Sequence, residues 1–195
     1  MSKLYEFDAA IRKQYKIIAG VDEAGRGPLA GPVVAAAIIL PENFKSSFID
    51  DSKKLSPKKR EEAFFLLKEN ALSFAVSCVS PKKIDEINIL NAAMLAMKNA
   101  IKKLNISPDI VLVDGNKSPQ SNYLEKTVIK GDQLSLSIAS ASIIAKYIRD
   151  KIMEGYAKIY PEYKFNKHKG YPTKEHKELI KKYGACKIHR KSFKW

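Results

Sequence analysis

The sequence has few of the residues that build disulfide frameworks or structural zinc sites. It contains two cysteines, Cys78 and Cys186, and three histidines, and no cysteines lie at the spacing that zinc sites use. It has no apolar run approaching the roughly 20 residues that cross a bilayer, and its polar N-terminus has no signal-peptide core. These absences predict a soluble chain in the cytoplasm.

Positive charge, by contrast, is abundant. The 35 lysine and arginine residues outnumber the 21 acidic residues and give a formal net charge of +14. Residues 151–195 hold 13 of the basic residues and four glutamates, which predicts a basic platform at the C-terminal end. A nucleic acid is the commonest polyanionic partner for such a chain, while an anionic membrane surface and simple solubility are the alternatives.

The chain is long enough for one substantial core, and its apolar pattern predicts an α/β fold. Strands are expected over 17–22, 32–40, 71–79 and 110–113, with a weaker one over 126–129, and helices over 57–69, 89–104, 133–160 and 174–183. The short turn between the first two strands predicts antiparallel pairing. The later strands follow helical crossovers, so we expect a mixed sheet with parallel pairing there.

Two details of this pattern concern side-chain placement. In residues 71–79, apolar side chains alternate, and Cys78 is therefore predicted to be a small core residue. In the long helix, the small residues 139–142 predict a close approach to a neighbouring element. Lys146 and Arg149 are expected to lie off its apolar stripe.

The acidic residues are informative because a basic nucleic-acid binder gains nothing from carboxylates that face phosphates. Asp22 ends the first strand and Asp114 ends the central one, and neighbouring strand ends would bring them together. Glu23 follows directly, and Asp132 is expected to begin the long helix. Asp114-Gly115 could also be an ordinary turn, and Asp132 an N-cap.

Clustered carboxylates repel one another, and a divalent cation commonly resolves the repulsion. All-oxygen ligands favour Mg²⁺ or Mn²⁺, and two such ions about 4 Å apart can promote phosphodiester hydrolysis. Glu23 can share this site with Asp22 only if the strand bends between them, since consecutive strand residues point to opposite faces. Gly25 and Gly27 would allow a bend, and they would let the backbone or Arg26 approach a phosphate or a 2′-hydroxyl.

Taken together, the sequence resembles the bacterial ribonuclease HII family over nearly its whole length. The matching runs are GVDEAGRGPLAGPVV from Gly20 to Val34, DSKKL from Asp51 to Leu55, VDG at 113–115, KGD at 130–132, ASASIIAK from Ala139 to Lys146, RD at 149–150, HKGY from His168 to Tyr171 and HRKSF from His189 to Phe193.

The resemblance implies a ribonuclease H-like mixed sheet flanked by helices, with a catalytic core over 1–160 and a basic helical C-terminal region over 161–195. It implies cleavage of RNA in RNA–DNA hybrids and incision at single ribonucleotides within duplex DNA, leaving 5′-phosphate and 3′-hydroxyl ends. Its metal ligands would be the carboxylates of Asp22, Glu23, Asp114 and Asp132.

The resemblance also assigns substrate contacts. Gly25, Arg26 and Gly27 match the loop that senses the 2′-hydroxyl, and Tyr171 matches the tyrosine that packs on the adjacent deoxyribose. A loop tyrosine packed on its own helix is the alternative for Tyr171. Phosphate contacts are expected from Lys53, Lys54, Lys146 and Arg149.

Two other functions fit part of this pattern. A non-enzymatic nucleic-acid-binding protein explains the charge but not the acidic residues, and a resolvase or DNA-only nuclease explains metal ligands but not the glycine loop or Tyr171. The sequence gives no signal for oligomerisation, so a monomer is the default expectation.

Overall fold

The computed structural model describes residues 3–46, 49 and 55–194, so Lys53 and Lys54 lie outside the described residues. A five-stranded sheet forms its centre. The strands are β1 (Ile18–Ala24), β2 (Val33–Ile39), β3 (Ser73–Val79), β4 (Ile110–Asp114) and β5 (Glu125–Val128).

The sheet order is β3-β2-β1-β4-β5. The central strand β1 pairs antiparallel with β2 and parallel with β4, while β2–β3 is antiparallel and β4–β5 is parallel. The expected mixed sheet is therefore confirmed, including the weak strand near residue 126. Its parallel pairs place the carboxyl ends of β1 and β4 side by side.

Helices surround this sheet. They are α1 (Lys3–Arg12), α2 (Pro57–Asn70), α3 (Pro81–Ile87), α4 (Ile89–Lys102), α5 (Leu136–Ile159), α6 (Phe165–His168) and α7 (Lys174–Tyr183). The Thr173 hydroxyl accepts the N–H of His176 and caps α7, as predicted. The sequence patterns did not predict α1 and α3, which are short. No helix in the described ranges is long and apolar enough to cross a membrane.

The core has a layer on each face of the sheet. On one face, α2 and α5 pack against apolar side chains of β2 such as Ile38, and on the other α4 packs against β1 and β2. The α1 helix joins the first layer, because Asp8 is buried and accepts the Ser135 and Ser137 hydroxyls at the start of α5. These bonds attach the N-terminus of α5 to α1.

The contact between α5 and β1 is very close. A Cβ built on Gly20 would lie 2.1 Å from the backbone carbon of Ser137, so no larger residue fits under the helix. Residues 139–142 are all buried at this interface or beside it, which confirms that the small residues permit close packing.

Three placements differ from the sequence predictions. Cys78 is exposed, although Phe74 and Val76 on the same face of the edge strand β3 pack against the core. Apolar alternation predicted the face that packs on the core, but it did not show that the covered part of this face ends before Cys78.

The other two differences concern α5. The helix begins at Leu136 with Ser135 as its N-cap, and Asp132 lies before it in a 3₁₀ turn over Gly131–Gln133. Asp132 therefore neither begins nor caps the helix. Arg149 has no exposed surface and does not lie on the solvent side, because its guanidinium is bonded within the protein.

The close contact at Gly20 predicts an asymmetric effect of two glycine substitutions. Gly20→Ala should lower the free energy of unfolding by about 3 kcal/mol or more, because the new methyl group meets helix backbone. Gly155→Ala, in α5 where a Cβ meets nothing within 4 Å, should raise it by about 0.5–1 kcal/mol. Urea unfolding of both variants measures this, and equal effects would contradict the packing described.

Candidate active site

A cavity of about 360 Å³ opens at the carboxyl ends of β1 and β4. Acidic side chains, the glycine loop and a tyrosine share its lining. The lining residues are Asp22, Glu23, Ala24, Gly25, Arg26, Gly27, Asp114, Ser142, Lys146 and Tyr171. The structure thus brings together most of the site residues predicted from sequence, which come from distant parts of the chain.

Asp22 lies deepest among the cavity's acidic residues and is 5% exposed. One carboxylate oxygen accepts the N–H of Glu23 at 2.6 Å, and the Ser142 hydroxyl on α5 also donates to Asp22. Burial raises the pKa of the Asp22 carboxyl well above its usual range, and the charges of Glu23 and Asp114 raise it further. A cation here would stabilise the ionised carboxylate.

Glu23 reaches the same cavity without a break in the strand. The β1–β2 ladder continues through Ala24, whereas the pairing of β1 with β4 ends at Val21. Asp22 and Glu23 both lie beyond the last paired residues of β1 and β4, and both border the opening. The bend between them stays a prediction, because the pairing of β1 with β2 continues through both residues whether or not the strand curves there.

Arg26 and Asp114 act on Glu23 in opposite directions. Burial raises the pKa of Glu23, and Asp114 adds to the rise. The Arg26 guanidinium, 3.2 Å from the Glu23 carboxylate, opposes it. Arg26 is half exposed, so this pair is worth little to stability. It does place a positive charge at the mouth of the cavity.

Asp114 and Asp132 are linked through a tight turn. One oxygen of Asp114 accepts the N–H of Gly131 at 2.7 Å, and Asp132 is the next residue. Asp132 is only 2% exposed and is not among the residues that line the cavity. It therefore lies next to the residue that Asp114 binds, and it is more buried than the three acidic residues that line the cavity.

The donor chemistry of the cavity fits Mg²⁺ or Mn²⁺, because it offers buried carboxylate oxygens that repel one another. In the residues the structure describes, however, no three acidic, histidine or cysteine side chains converge as a ready-made metal cluster. Asp22 and Asp114 each give one oxygen to a backbone N–H, and each carboxylate has a second oxygen. The residue types fit a divalent ion, and ligation would draw them closer.

The glycine loop follows Glu23 directly. Gly25 has φ +101°, and a Cβ there would lie 2.1 Å from the Arg149 side chain, so both conformation and space require glycine. At Gly27 the nearest contact of an added Cβ would be the Tyr171 ring at 3.9 Å. The loop and the tyrosine therefore face each other across a narrow gap.

Tyr171 is presented by a second tight loop. Gly170 before it has φ +84°, and a Cβ there would lie 2.6 Å from the Ala30 carbonyl oxygen. The tyrosine is 38% exposed, with Lys146 and Arg149 near its ring. Its ring thus borders the cavity, beside α5 and the glycine loop.

The two described basic residues of the predicted set differ in their surroundings. Lys146 lines the cavity and pairs with Asp150, and burial lowers its pKa. Arg149 donates to the carbonyls of Pro32, Lys169 and Ala30. Its guanidinium has no surface to offer a phosphate, so its placement disagrees with the predicted phosphate contact and makes it a support for two loops.

Sequence reasoning missed a cluster that holds all three histidines beneath Tyr171. His176 is bonded through Nδ1 to the Tyr171 carbonyl and through Nε2 to His189. Nδ1 of His189 accepts the N–H of Cys186, which leaves its Nε2–H to donate to His176. The His176 ring stacks on His168. This pattern requires neutral imidazoles, and histidines scattered in sequence gave no sign of it.

A sheet with this strand order and carboxylates at the ends of β1 and β4 is the ribonuclease H-like arrangement. The ribonuclease H2 of Pyrococcus horikoshii OT3 has the same fold, with a TM-score of 0.76 and 30% identity over 91% of this chain and 94% of that one. A structure described as Bst-RNase HIII in complex with Mn²⁺ shares the fold at a TM-score of 0.68 and 18% identity, over 86% and 63% of the two chains.

Sequence comparison identifies the family within that class. A family profile described as Ribonuclease HII matches residues 19–195. The Ribonuclease HII of Caldicellulosiruptor saccharolyticus is 55% identical over 94% of this chain and 89% of its own length. The chain belongs to the ribonuclease HII family, and it is a ribonuclease H-type endonuclease.

The histidine cluster predicts a pH-dependent stability. Burial lowers the pKa of His176 to about 4, below the usual value near 6.5. The unfolded chain therefore binds more protons between these values, and unfolding becomes easier as the pH falls from about 6.5 towards 4. The contribution is on the order of 3 kcal/mol at most.

Urea unfolding of the wild type and His176→Gln at pH 7.5 and pH 5 tests this. The variant should be less stable at pH 7.5 but should lose less stability on acidification. Buried acids such as Asp8, whose pKa is raised, act in the opposite direction, so the difference between the two proteins is the quantity to compare. Parallel pH profiles would contradict a neutral, buried His176.

Proposed function

We propose that this chain cleaves the RNA strand of RNA–DNA hybrids and incises duplex DNA at single embedded ribonucleotides, as in ribonucleotide excision repair. The observation that supports this most is the shared cavity. Carboxylates suited to phosphodiester hydrolysis line this cavity of about 360 Å³. A glycine loop and a tyrosine suited to recognising a sugar line the same cavity. A general nuclease needs only the first part.

Asp22, Glu23, Asp114 and Asp132 are the proposed metal ligands and catalytic residues. Two Mg²⁺ or Mn²⁺ ions, when bound, would activate water and stabilise the leaving oxygen, giving 5′-phosphate and 3′-hydroxyl ends. The Ser142 hydroxyl and the Glu23 N–H orient Asp22. The Gly131 N–H orients Asp114 in the same way.

Recognition of the ribonucleotide is assigned to the opposite wall. Gly25, Arg26 and Gly27 would meet the 2′-hydroxyl, because glycine lets backbone groups come within hydrogen-bonding distance of a sugar. Tyr171 would pack on the next deoxyribose, where a 2′-hydroxyl has no room. The narrow gap between Gly27 and the Tyr171 ring supports this arrangement.

Electrostatic attraction would hold the duplex over this cavity. Lys146 borders it, and Lys53 and Lys54 are proposed as further phosphate contacts. Residues 161–195 would form a basic region beside a catalytic core over 1–160, so binding should weaken with salt. We further propose that the protein acts as a monomer in the cytoplasm.

A panel of four duplexes tests the proposed function: DNA with one ribonucleotide, an RNA–DNA hybrid, all-DNA and all-RNA. With Mg²⁺ or Mn²⁺, we expect incision of the first two only, with a 5′-phosphate on the downstream product. The ends can be read by gel mobility after phosphatase treatment. Equal cutting of all-DNA would favour a DNA nuclease. Cleavage of the hybrid alone would contradict the proposed incision at single ribonucleotides.

Asp114→Asn separates an enzyme from a binding protein in the same assay. The variant should incise at least about a hundredfold more slowly, which corresponds to a loss of roughly 3 kcal/mol of transition-state stabilisation. It should still bind the duplex. Glu86→Gln is a matched control, since Glu86 lies exposed in an ion pair with Lys83 on α3. Full activity of Asp114→Asn would overturn the assignment of the carboxylates.

A further inference from the structure

Arg190 is the least expected element of the glycine loop's surroundings. It lies near the C-terminus, and its side chain has no exposed surface. Its guanidinium donates to three carbonyls, those of Gly25 at 2.6 Å, Arg26 at 3.0 Å and Gly31 at 3.0 Å. A buried charged side chain bonded in this way constrains the backbone that it binds.

The bonds to Gly25 and Arg26 have a direct consequence for the loop. The chain has no cis peptide bond among the described residues, and in a trans peptide the N–H points opposite to the C=O. Because the carbonyls of Gly25 and Arg26 point to Arg190, the N–H groups of Arg26 and Gly27 point away from it. These two residues line the cavity, so two adjacent donors are turned to that side.

We propose that Arg190 is a positioning residue for ribose recognition, which fixes the peptide planes of the glycine loop so that their N–H groups meet the oxygen atoms of a ribonucleotide. This inference rests on the proposed function of the loop. Arg190 itself does not touch the substrate. Its effect is on the difference in affinity between ribonucleotide and deoxyribonucleotide, because only the ribonucleotide has a 2′-oxygen for the loop to bind.

The segment that carries Arg190 is held from both sides. Its backbone runs beside the end of the glycine loop, where the Arg190 N–H donates to Leu29 and the Gly31 N–H donates to Ile188. On the far side, the Asp85 carboxylate of α3 accepts the N–H of Ser192, its hydroxyl and the N–H of Lys191. Asp85 is thus an anchor for the segment that lies outside the cavity.

Arg190→Lys tests the proposal, because it keeps the charge but cannot bind three carbonyls in a fork. Steady-state kinetics with Mg²⁺ give kcat/KM on duplex DNA with one ribonucleotide, and all-DNA duplex as a competitive inhibitor gives Ki. We expect kcat/KM to fall about tenfold while Ki stays within twofold. The matched control is Arg12→Lys, since Arg12 also binds two backbone carbonyls, those of Lys16 and Leu40, on the remote helix α1.

Two results would overturn the proposal. One is a kcat/KM for Arg190→Lys that matches that of Arg12→Lys. The other is a parallel loss of affinity for both duplexes, which indicates general damage.

If Arg190→Lys does not fold, as thermal unfolding would show, Asp85→Ala loosens the same segment from outside and should lower kcat/KM about threefold with Ki unchanged. An unchanged kcat/KM there counts against the proposal. If the wild type does not incise at the embedded ribonucleotide, that result refutes the proposed function instead.

Discussion

The close packing of one stripe of α5 on β1 is the constraint on which the site depends. Gly20 lets the helix lie directly on the strand. From there, Ser142, Lys146, Arg149 and Met153 follow at the spacing of one helix face. Ser142 donates to Asp22, and Lys146 lines the cavity. Arg149 binds the backbone at 30–32, and Met153 lies against Gly31 and Gly170. A single rigid element therefore sets the distance between the carboxylates of the cavity and its glycine loop.

Charge is distributed in a way that suits this geometry. The chain as a whole is strongly basic, yet its cavity contains carboxylates whose pKa values are raised by burial and by one another. A surface of that kind attracts a polyanion over long range and offers divalent ions a site beneath it. Two of the buried arginines contribute differently. Arg149 and Arg190 bind loop carbonyls rather than carboxylates, so their role is to hold loops and not to neutralise charge.

Much of this was predictable from sequence because the relevant signals are local. Apolar runs predicted the strands, and acids at strand ends predicted that Asp22 and Asp114 would converge. The failures have physical causes. Cys78 shares a face of the edge strand with Phe74 and Val76 but lies beyond the part of that face that the core covers, and Arg149 lies on a helix face whose burial depends on loops distant in sequence. The histidine cluster could not be predicted, since it joins the side chains of His176 and His189, which are 13 residues apart. The bonding of Arg190 could not be predicted either, since its partner carbonyl on Gly25 lies 165 residues away.

The central claim is that the carboxylates at the ends of β1 and β4 form the metal centre, and calorimetric titration of the protein with Mn²⁺ tests it most directly. The account predicts saturable binding of up to two ions by the wild type and by Glu86→Gln, and a loss of affinity of roughly 10- to 100-fold in Asp22→Asn. Thermal unfolding without Mn²⁺ should confirm that all three proteins are folded. Undiminished Mn²⁺ binding by a folded Asp22→Asn would contradict the account.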